Sequence, residues 1–208
     1  TGSVQDITER KLAEMTLVKF KTAIESSGEA IFMTDTKGII TFINPEFTKL
    51  YGYSIEEVVG KMTPRILKSG QRTQEQYQTF WKTILGGDIA RTELVNKTKD
   101  GHMLNIDEVV NPIIEKSGKM IGFLATHRDI TEHKKIEQKI IDEKAIDEAI
   151  LESVGEGVYG TNLEGETIFV NSAMLRILGY TREELLGKKS HAIMHHTKND
   201  DTHFPTIE

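Results

Sequence analysis

Apolar and polar positions along the chain switch between two periods. Ala30–Asp35 and Ile39–Asn44 are short apolar, β-branched runs on either side of Thr36-Lys37-Gly38, the pattern of a β-hairpin with glycine at its turn. Ile24–Gly28 reads as the end of a short helix leading into that hairpin. At Asn44 the period changes. Asn44 is placed to cap a helix, Pro45 suits its first position, Phe47, Leu50 and Tyr51 recur at helical spacing, and Gly52 stops the segment. Ser54-Ile55-Glu56-Glu57 has the form of a capping box that opens a further turn, closed by Gly60. Gln74–Leu85 predicts an amphipathic helix with Tyr77, Trp81, Ile84 and Leu85 on its apolar side. Thr92–Lys97, Met103–Pro112 and Lys119–Arg128 then read as strands, joined through Lys99-Asp100-Gly101 and Glu115-Lys116-Ser117-Gly118. Loops this short connect antiparallel neighbours and leave no room for crossovers. The expected fold is α+β: one five-stranded antiparallel sheet with the helices on one face.

From Thr131 to Ser153 there is no Gly or Pro, and Lys, Glu and Asp are dense. Glu143 and Asp147 break any heptad seam, yet Ile136, Ile140, Ile146 and Ile150 leave a narrow apolar stripe. Such a stripe suits a linker helix that pairs with its counterpart in a homodimer; the plainer alternative is a solvated helix without a partner.

The hairpin pattern occurs twice. Ala23–Lys61 and Ile150–Lys188 align at an offset of 127, with 14 of 39 positions identical, among them Asn44/Asn171, Gly52-Tyr53/Gly179-Tyr180 and Glu56-Glu57/Glu183-Glu184. A second echo links Asp6-Ile7-Thr8-Glu9 to Asp129-Ile130-Thr131-Glu132. The period is that of a domain, so the chain reads as a tandem array. Residues 1–19 are expected to hold the end of a preceding unit, with Gly2–Glu9 as its last strand and exit, and a connecting helix. Residues 20–131 form the complete unit, 132–149 a helical linker, and 150–208 the N-terminal half of a second copy. The expectation is a piece of a longer multidomain protein.

Composition narrows the chemistry. In 208 residues, 32 acidic and 26 basic side chains give a net charge of −6, with no clustered Lys and Arg to form a nucleic-acid groove. The absence of cysteine removes disulfides, thiolate metal sites, Fe–S clusters and Cys nucleophiles. No apolar run reaches the roughly 18 residues of a membrane span, so no membrane contact is expected from this segment and the cytoplasm is the default location. There is no P-loop, nucleophile elbow or paired-carboxylate signature, which points to a regulatory rather than catalytic segment. His191, His195, His196 and His203 with Asp200 and Asp201 suggest a metal at first sight. Ala192 stands where the metalloprotease motif has Glu, and the surrounding lysines favour a solvated segment, so no metal is expected.

Asp35…Gly38…Asn44-Pro45…Phe47…Gly52-Tyr53…Glu56-Glu57…Gly60-Lys61, then Lys99-Asp100-Gly101 and Asp129-Ile130-Thr131-Glu132, resemble the PAS superfamily of sensor domains. The resemblance covers nearly the whole chain and implies the PAS fold. It also implies a sensory input module that passes a signal through a helix to an output domain. Lys68…Trp81…Leu94-Val95-Asn96-Lys97…Lys99-Asp100-Gly101 is similar to the flavin-binding branch, which includes blue-light LOV domains and the FAD-containing redox sensors of nitrogen-fixation regulators. Thr63-Pro64-Arg65-Ile66-Leu67-Lys68 occupies the register of the LOV cysteine segment, with Pro64 where the thiol would be, so light-driven adduct chemistry is excluded. Of three amide positions that hold flavin in LOV domains only Asn96 matches; Ile106 and His127 take the other two.

Strand alternation turns Leu104, Ile106, Glu108 and Val110 to one face of the sheet, with Phe123, Ala125 and His127 beside them. A one-residue slip would reverse this. The expected ligand contacts are Asn96, Trp81, Glu108, His127, Phe123 and Ile106; the cofactor is left open, with FAD or FMN as the first candidate. Haem through His127 or His102 is the second choice. Asp129 and Thr131 are the expected relay hinge, with Thr131 as helix N-cap. The resemblance makes a histidine kinase the first expectation for the output domain and a cyclic-di-nucleotide enzyme the next. The rival reading is a cofactor-free module for dimerisation and relay.

Overall fold

The computed structural model describes residues 2–190, with side chains from Glu9 onward. The chain forms two compact units that divide between Lys135 and Ile136.

The first unit begins with α1 (Gly2–Glu25). The strand expected at Gly2–Glu9 is therefore helix. Residues 3–25 hold no Gly or Pro, and a strand without a neighbour would leave its backbone groups unpaired, whereas a helix pairs its own. Then follow β1 (Ala30–Thr34), β2 (Ile40–Ile43), α2 (Pro45–Tyr51), α3 (Ile55–Val58), a 3-10 turn at Pro64–Leu67, α4 (Gln74–Leu85), β3 (Ala90–Lys97), β4 (Met103–Ile114) and β5 (Met120–Asp129).

The five strands make one antiparallel sheet in the order β2-β1-β5-β4-β3. The first hairpin thus lies against the last strand. β3 starts at Ala90, ahead of the expected Thr92, because Ala90 and Arg91 already pair with Val110 and Val109. At the β1–β5 seam, a Cβ on Gly122 would sit 2.1 Å from the Thr34 carbonyl oxygen. Only glycine fits that approach.

Helix ends follow the local rules. Asn44 and Thr73 accept the backbone N–H groups of Phe47 and Gln76 at the starts of α2 and α4. Gly52 closes α2 at φ 79°, the left-handed region that glycine enters without strain. On the helical face of the sheet, Phe32, Ile40, Phe47, Tyr51, Leu67 and Ile84 form the heart of the core.

α5 runs from Thr131 to Ser153 and buries none of its side chains. Ile136, Ile140, Ile146 and Ile150 are each about half exposed or more. The second unit carries a two-stranded hairpin, β6 (Tyr159–Thr161) and β7 (Thr167–Val170), followed by α6 (Ser172–Leu178) and α7 (Arg182–Leu185). The His191–His203 cluster lies outside the described residues.

Candidate ligand-binding site

The hairpin delivers the site. Asn44 is fully buried and makes four backbone bonds. Its Oδ1 accepts from Ile31 and Phe47 at 2.8 and 3.0 Å, while Nδ2 donates to Ile24 at the end of α1 (3.1 Å) and to Glu29 (2.9 Å). One amide therefore fastens incoming helix, first strand and α2 together. This agrees with the reading of Asn44 as a cap.

α2 covers one end of the sheet with aromatic rings. Phe32 packs edge-on against Phe47 and His127, with centroids 5.5 and 4.9 Å away, and Tyr51 lies 5.8 Å from His127. Beyond α2 the face borders a cavity of about 590 Å³ under the 3-10 turn and α4. Its sheet wall is Asn96 on β3, Glu108 and Val110 on β4, and Phe123 and Ala125 on β5; Trp81 and Tyr77 line the helical side. The size falls in the range of ligand clefts, roughly 300–1,000 Å³.

The inward register holds: Ile106, Glu108 and Val110 are buried on β4, and Phe123, Ala125 and His127 on β5. Glu108 and His127 face each other across the ladder. Not all of the expected set reaches the cavity. Ile106 has no exposed surface and belongs to the core, paired with Leu94 and Asp129 on the neighbouring strands, without lining the cavity. His127 lies behind the wall, under the α2 aromatics. Trp81 is 44% exposed, 6.4 Å from Phe123 edge-on, and flanks the cavity instead of filling the core.

A buried hydrogen-bond chain joins these residues. Asn96 Nδ2 donates to the Tyr51 hydroxyl at 3.0 Å, Tyr51 Oη lies 2.6 Å from His127 Nδ1, and His127 Nε2 lies 3.1 Å from Glu108 Oε1. Burial pushes the Tyr51 phenol well above its ordinary range; the charges of Glu108 and Asp129 add to this, while the Asn96 bond pulls the other way. The phenol therefore keeps its proton and donates it to Nδ1, so the imidazole proton sits on Nε2 and points to Glu108. Asn96 and Glu108, the two ends of the chain, both line the cavity. With both ring nitrogens engaged, His127 has none left for a haem iron. The other haem candidate, His102, is exposed and bonded to Asp100 in the β3–β4 turn.

Glu108 Oε2 has no hydrogen-bond partner and is shielded from water; Arg72 Nη1 stands 3.5 Å from it. Tyr51 and Arg72 were missed as site residues. Tyr51 reads as an apolar helix position, and Arg72 sits in the loop before α4, where no periodicity marks it. The Ser/Thr-x-x-Gln box at Thr73–Gln76 was the available signal that this loop is ordered.

The exit from β5 is also wired. Asp129 accepts the N–H of Thr131 at 2.8 Å, and the Thr131 hydroxyl accepts the N–H of Asn105 on β4 at 2.8 Å. Thr131 is thus the first helical residue and not the cap, which corrects the expected role; Asp129 supplies the capping carboxylate. The N–H of Ile130 reaches the Asn105 carbonyl at 2.9 Å, so the junction is stitched to a cavity-wall strand.

Among the described residues, no group of His, Asp and Glu side chains is placed to hold a metal ion. A family model described as the PAS fold matches residues 19–130 and again residues 146–205. The chain belongs to the PAS family. A PAS domain crystal structure from Colwellia psychrerythraea superposes with a TM-score of 0.52 at 28% identity, covering 56% of this chain and 98% of that one. An RNA-binding light-oxygen-voltage receptor superposes at 0.57 with 21% identity, over 65% of this chain and 38% of its own, a likeness of fold alone. In sequence, the nitrogen fixation regulatory protein of Klebsiella pneumoniae is 30% identical over 154 residues, 74% of this chain and 31% of that protein. The biofilm dispersion protein BdlA of Pseudomonas aeruginosa is 26% identical over 154 residues, 73% of this chain and 35% of its own. The chain spans about a third of the length of these two relatives. As a PAS segment it is a sensory input module, and none of its described helices is long and apolar enough to cross a membrane.

Proposed function

We propose that residues 20–131 read a planar ligand, a flavin nucleotide (FAD or FMN), and pass its occupancy or redox state to α5. One observation carries the reading: Asn96 and Glu108 wall the cavity and are the two ends of a single buried hydrogen-bond chain. A change at either end moves protons or bonds at Tyr51 and His127, hence the packing of α2 on β5. β5 ends at Asp129, and the Asp129-Ile130-Thr131 stitch to Asn105 carries the change into the first turn of α5. Two states of this junction, unequally favoured by the ligand, are all the coupling requires.

The residues suit a flavin. Leu94, Val110, Phe123 and Ala125 offer apolar walls for a ring system, Asn96 an amide at its edge, and Arg65 and Lys68 charges for a phosphate. A bound flavin would supply electron transfer coupled to proton uptake. Glu108 and the Nε2 proton of His127 are the groups here that hold or release a proton near it. The segment is regulatory, placed in the cytoplasm of its cell, working as a homodimer through the isoleucine stripe of α5 and joined to neighbouring PAS units. Its output domain is a histidine kinase, with a cyclic-di-nucleotide enzyme as the next choice.

The second reading, a cofactor-free relay, draws on Ile106, which closes the core where flavin-binding domains place an amide. An absorption spectrum of the purified protein, with mass spectrometry of what heat releases, separates the two. A flavin band and a released flavin support the sensor; a colourless protein that takes up neither FMN nor FAD overturns it.

A further inference from the structure

Four cations line the cavity, Lys37, Arg65, Lys68 and Arg72, against one carboxylate, Glu108. This local excess stands out in a chain whose net charge is −6. Among the described residues, no carboxylate lies within ion-pair distance of Lys37, Arg65 or Lys68; the one such pair at the cavity is Arg72–Glu108. That pair is loose. Arg72 Nη1 stands 3.5 Å from Oε2 without a hydrogen bond, although both side chains are largely buried. The guanidinium rests on rings instead, 4.6 Å from the Phe80 centroid and 5.0 Å from Tyr77, and Lys68 Nζ approaches the same Tyr77 ring at 4.2 Å. Two cations approach one aromatic ring beside a carboxylate to which neither donates a hydrogen bond.

We propose that the cavity selects a ligand carrying an anionic group, and that Arg72 is an exchangeable counter-ion: the anion takes Arg72 from Glu108. The inference rests on reading the cavity as a ligand site, and it adds the ligand's charge and the residue that detects it. The aromatic shelf of Tyr77 and Phe80 holds the guanidinium at the cavity whichever partner it has, so the exchange needs only a small swing. Once Arg72 leaves, Glu108 keeps a single donor, the Nε2–H of His127, and that bond tightens. The buried chain to Tyr51 thereby senses arrival of the anion through its far end, without Tyr51 touching the ligand.

The test uses two dyes with the same rings, 8-anilinonaphthalene-1-sulfonate and the uncharged N-phenyl-1-naphthylamine, titrated by fluorescence into the full chain. The sulfonate should bind about tenfold tighter, the scale of one charge-assisted hydrogen bond. Arg72→Gln should remove most of that preference, Arg72→Lys should restore part of it, and Glu108→Gln should raise the preference for the sulfonate over the neutral dye several-fold by freeing Arg72. Equal binding of the two dyes, no sulfonate binding, or a preference untouched in Arg72→Gln would overturn the proposal. A native circular dichroism spectrum of each variant excludes misfolding as the cause. The flavin reading fails separately: a charge preference that depends on Arg72 in a protein taking up neither FMN nor FAD would keep this inference and discard that one.

Discussion

The two copies of the hairpin share their joint and differ in their chemistry. Asn171 repeats the four bonds of Asn44 and adds a long one to Val154 (3.5 Å): Oδ1 accepts from Val158 and Met174, both at 2.9 Å, and Nδ2 donates to Leu151 near the end of α5 and to Glu156, both at 2.9 Å. The position of Tyr51, however, is Leu178 in the second copy, and that of Phe47 is Met174. The phenol that ties Asn96 to His127 has no counterpart there. A second difference runs the other way. Pro45 has no N–H to give, whereas its counterpart Ser172 donates to Glu152 at 2.8 Å, and Glu152 also pairs with Arg182 at 2.8 Å. What recurs is the means of fastening a helix to a sheet; what varies is the polar wiring placed upon it.

The shared joint predicts the largest effects. Asn44→Ala removes the partner of the Ile31 N–H and of the Glu29 carbonyl, while the Phe47 N–H keeps the Asn44 carbonyl and the Ile24 carbonyl keeps the Ser27 N–H. It should cost about 2–3 kcal/mol, and Asn171→Ala should cost a similar amount in its own unit. Hydrogen exchange at Ile31 and Phe47 against Val158 and Met174 would show whether each loss stays with its copy. A joint that matters in one copy alone would break the comparison.

Tyr51→Phe comes next. It leaves the Asn96 amide and His127 Nδ1 without their partner and should cost about 1–2 kcal/mol. More tellingly, it releases the imidazole from its single tautomer, which nitrogen NMR of His127 would register as a mixture. An unchanged tautomer would mean that Glu108 alone orients the ring. Tyr51 also sets an alkaline limit. Its phenol ionises less readily folded than unfolded, so its contribution is complete below the unfolded value near 10 and declines as pH rises above it. Tyr51→Phe should flatten that part of the stability profile.

Asp129→Ala removes the carboxylate that holds the first turn of α5 and should cost about 1 kcal/mol, with faster amide exchange confined to residues 131–134. Exchange spreading through β5 would show that the junction supports the sheet as well as the helix.

The smallest effect belongs to the second copy. Hydrogen bonds to Ser172 and the Arg182 contact hold Glu152 at a pKa of about 2. A folded value below the unfolded one stabilises above about 4.5, and the contribution fades as pH falls from there toward 2. The Ser172 amide shift should follow this titration, and Glu152→Gln should abolish it. Pro45 denies the first copy the same acid sensitivity.

Much of this was legible beforehand, for physical reasons that differ by element. Asn44-Pro45, Gly52 and the alternation along β4 and β5 act locally, so the cap, the helix stop and the inward face of Glu108 and His127 follow from spacing. Tyr51 escaped because its partners lie 45 and 76 residues away and a phenol in a helix stripe resembles any core aromatic. Ile106 faces the expected side but lies in the core without lining the cavity, because alternation gives a face and says nothing of what packs over it. Thr131 looked like a cap by type, but its hydroxyl is claimed by Asn105 on another strand. The strand imagined at Gly2–Glu9 came from an echo of letters, and the same letters fold as helix where no sheet edge receives them.

The Asn44 joint has a consequence for how such proteins grow. Because one amide grips the arriving helix, the strand and the following helix through main-chain atoms alone, it does not depend on which side chains the helix carries. Any helix of suitable length can be plugged in. Whole units can then be duplicated, lost or shuffled like carriages on a common coupling, each new copy being mechanically attached before it has acquired anything to sense.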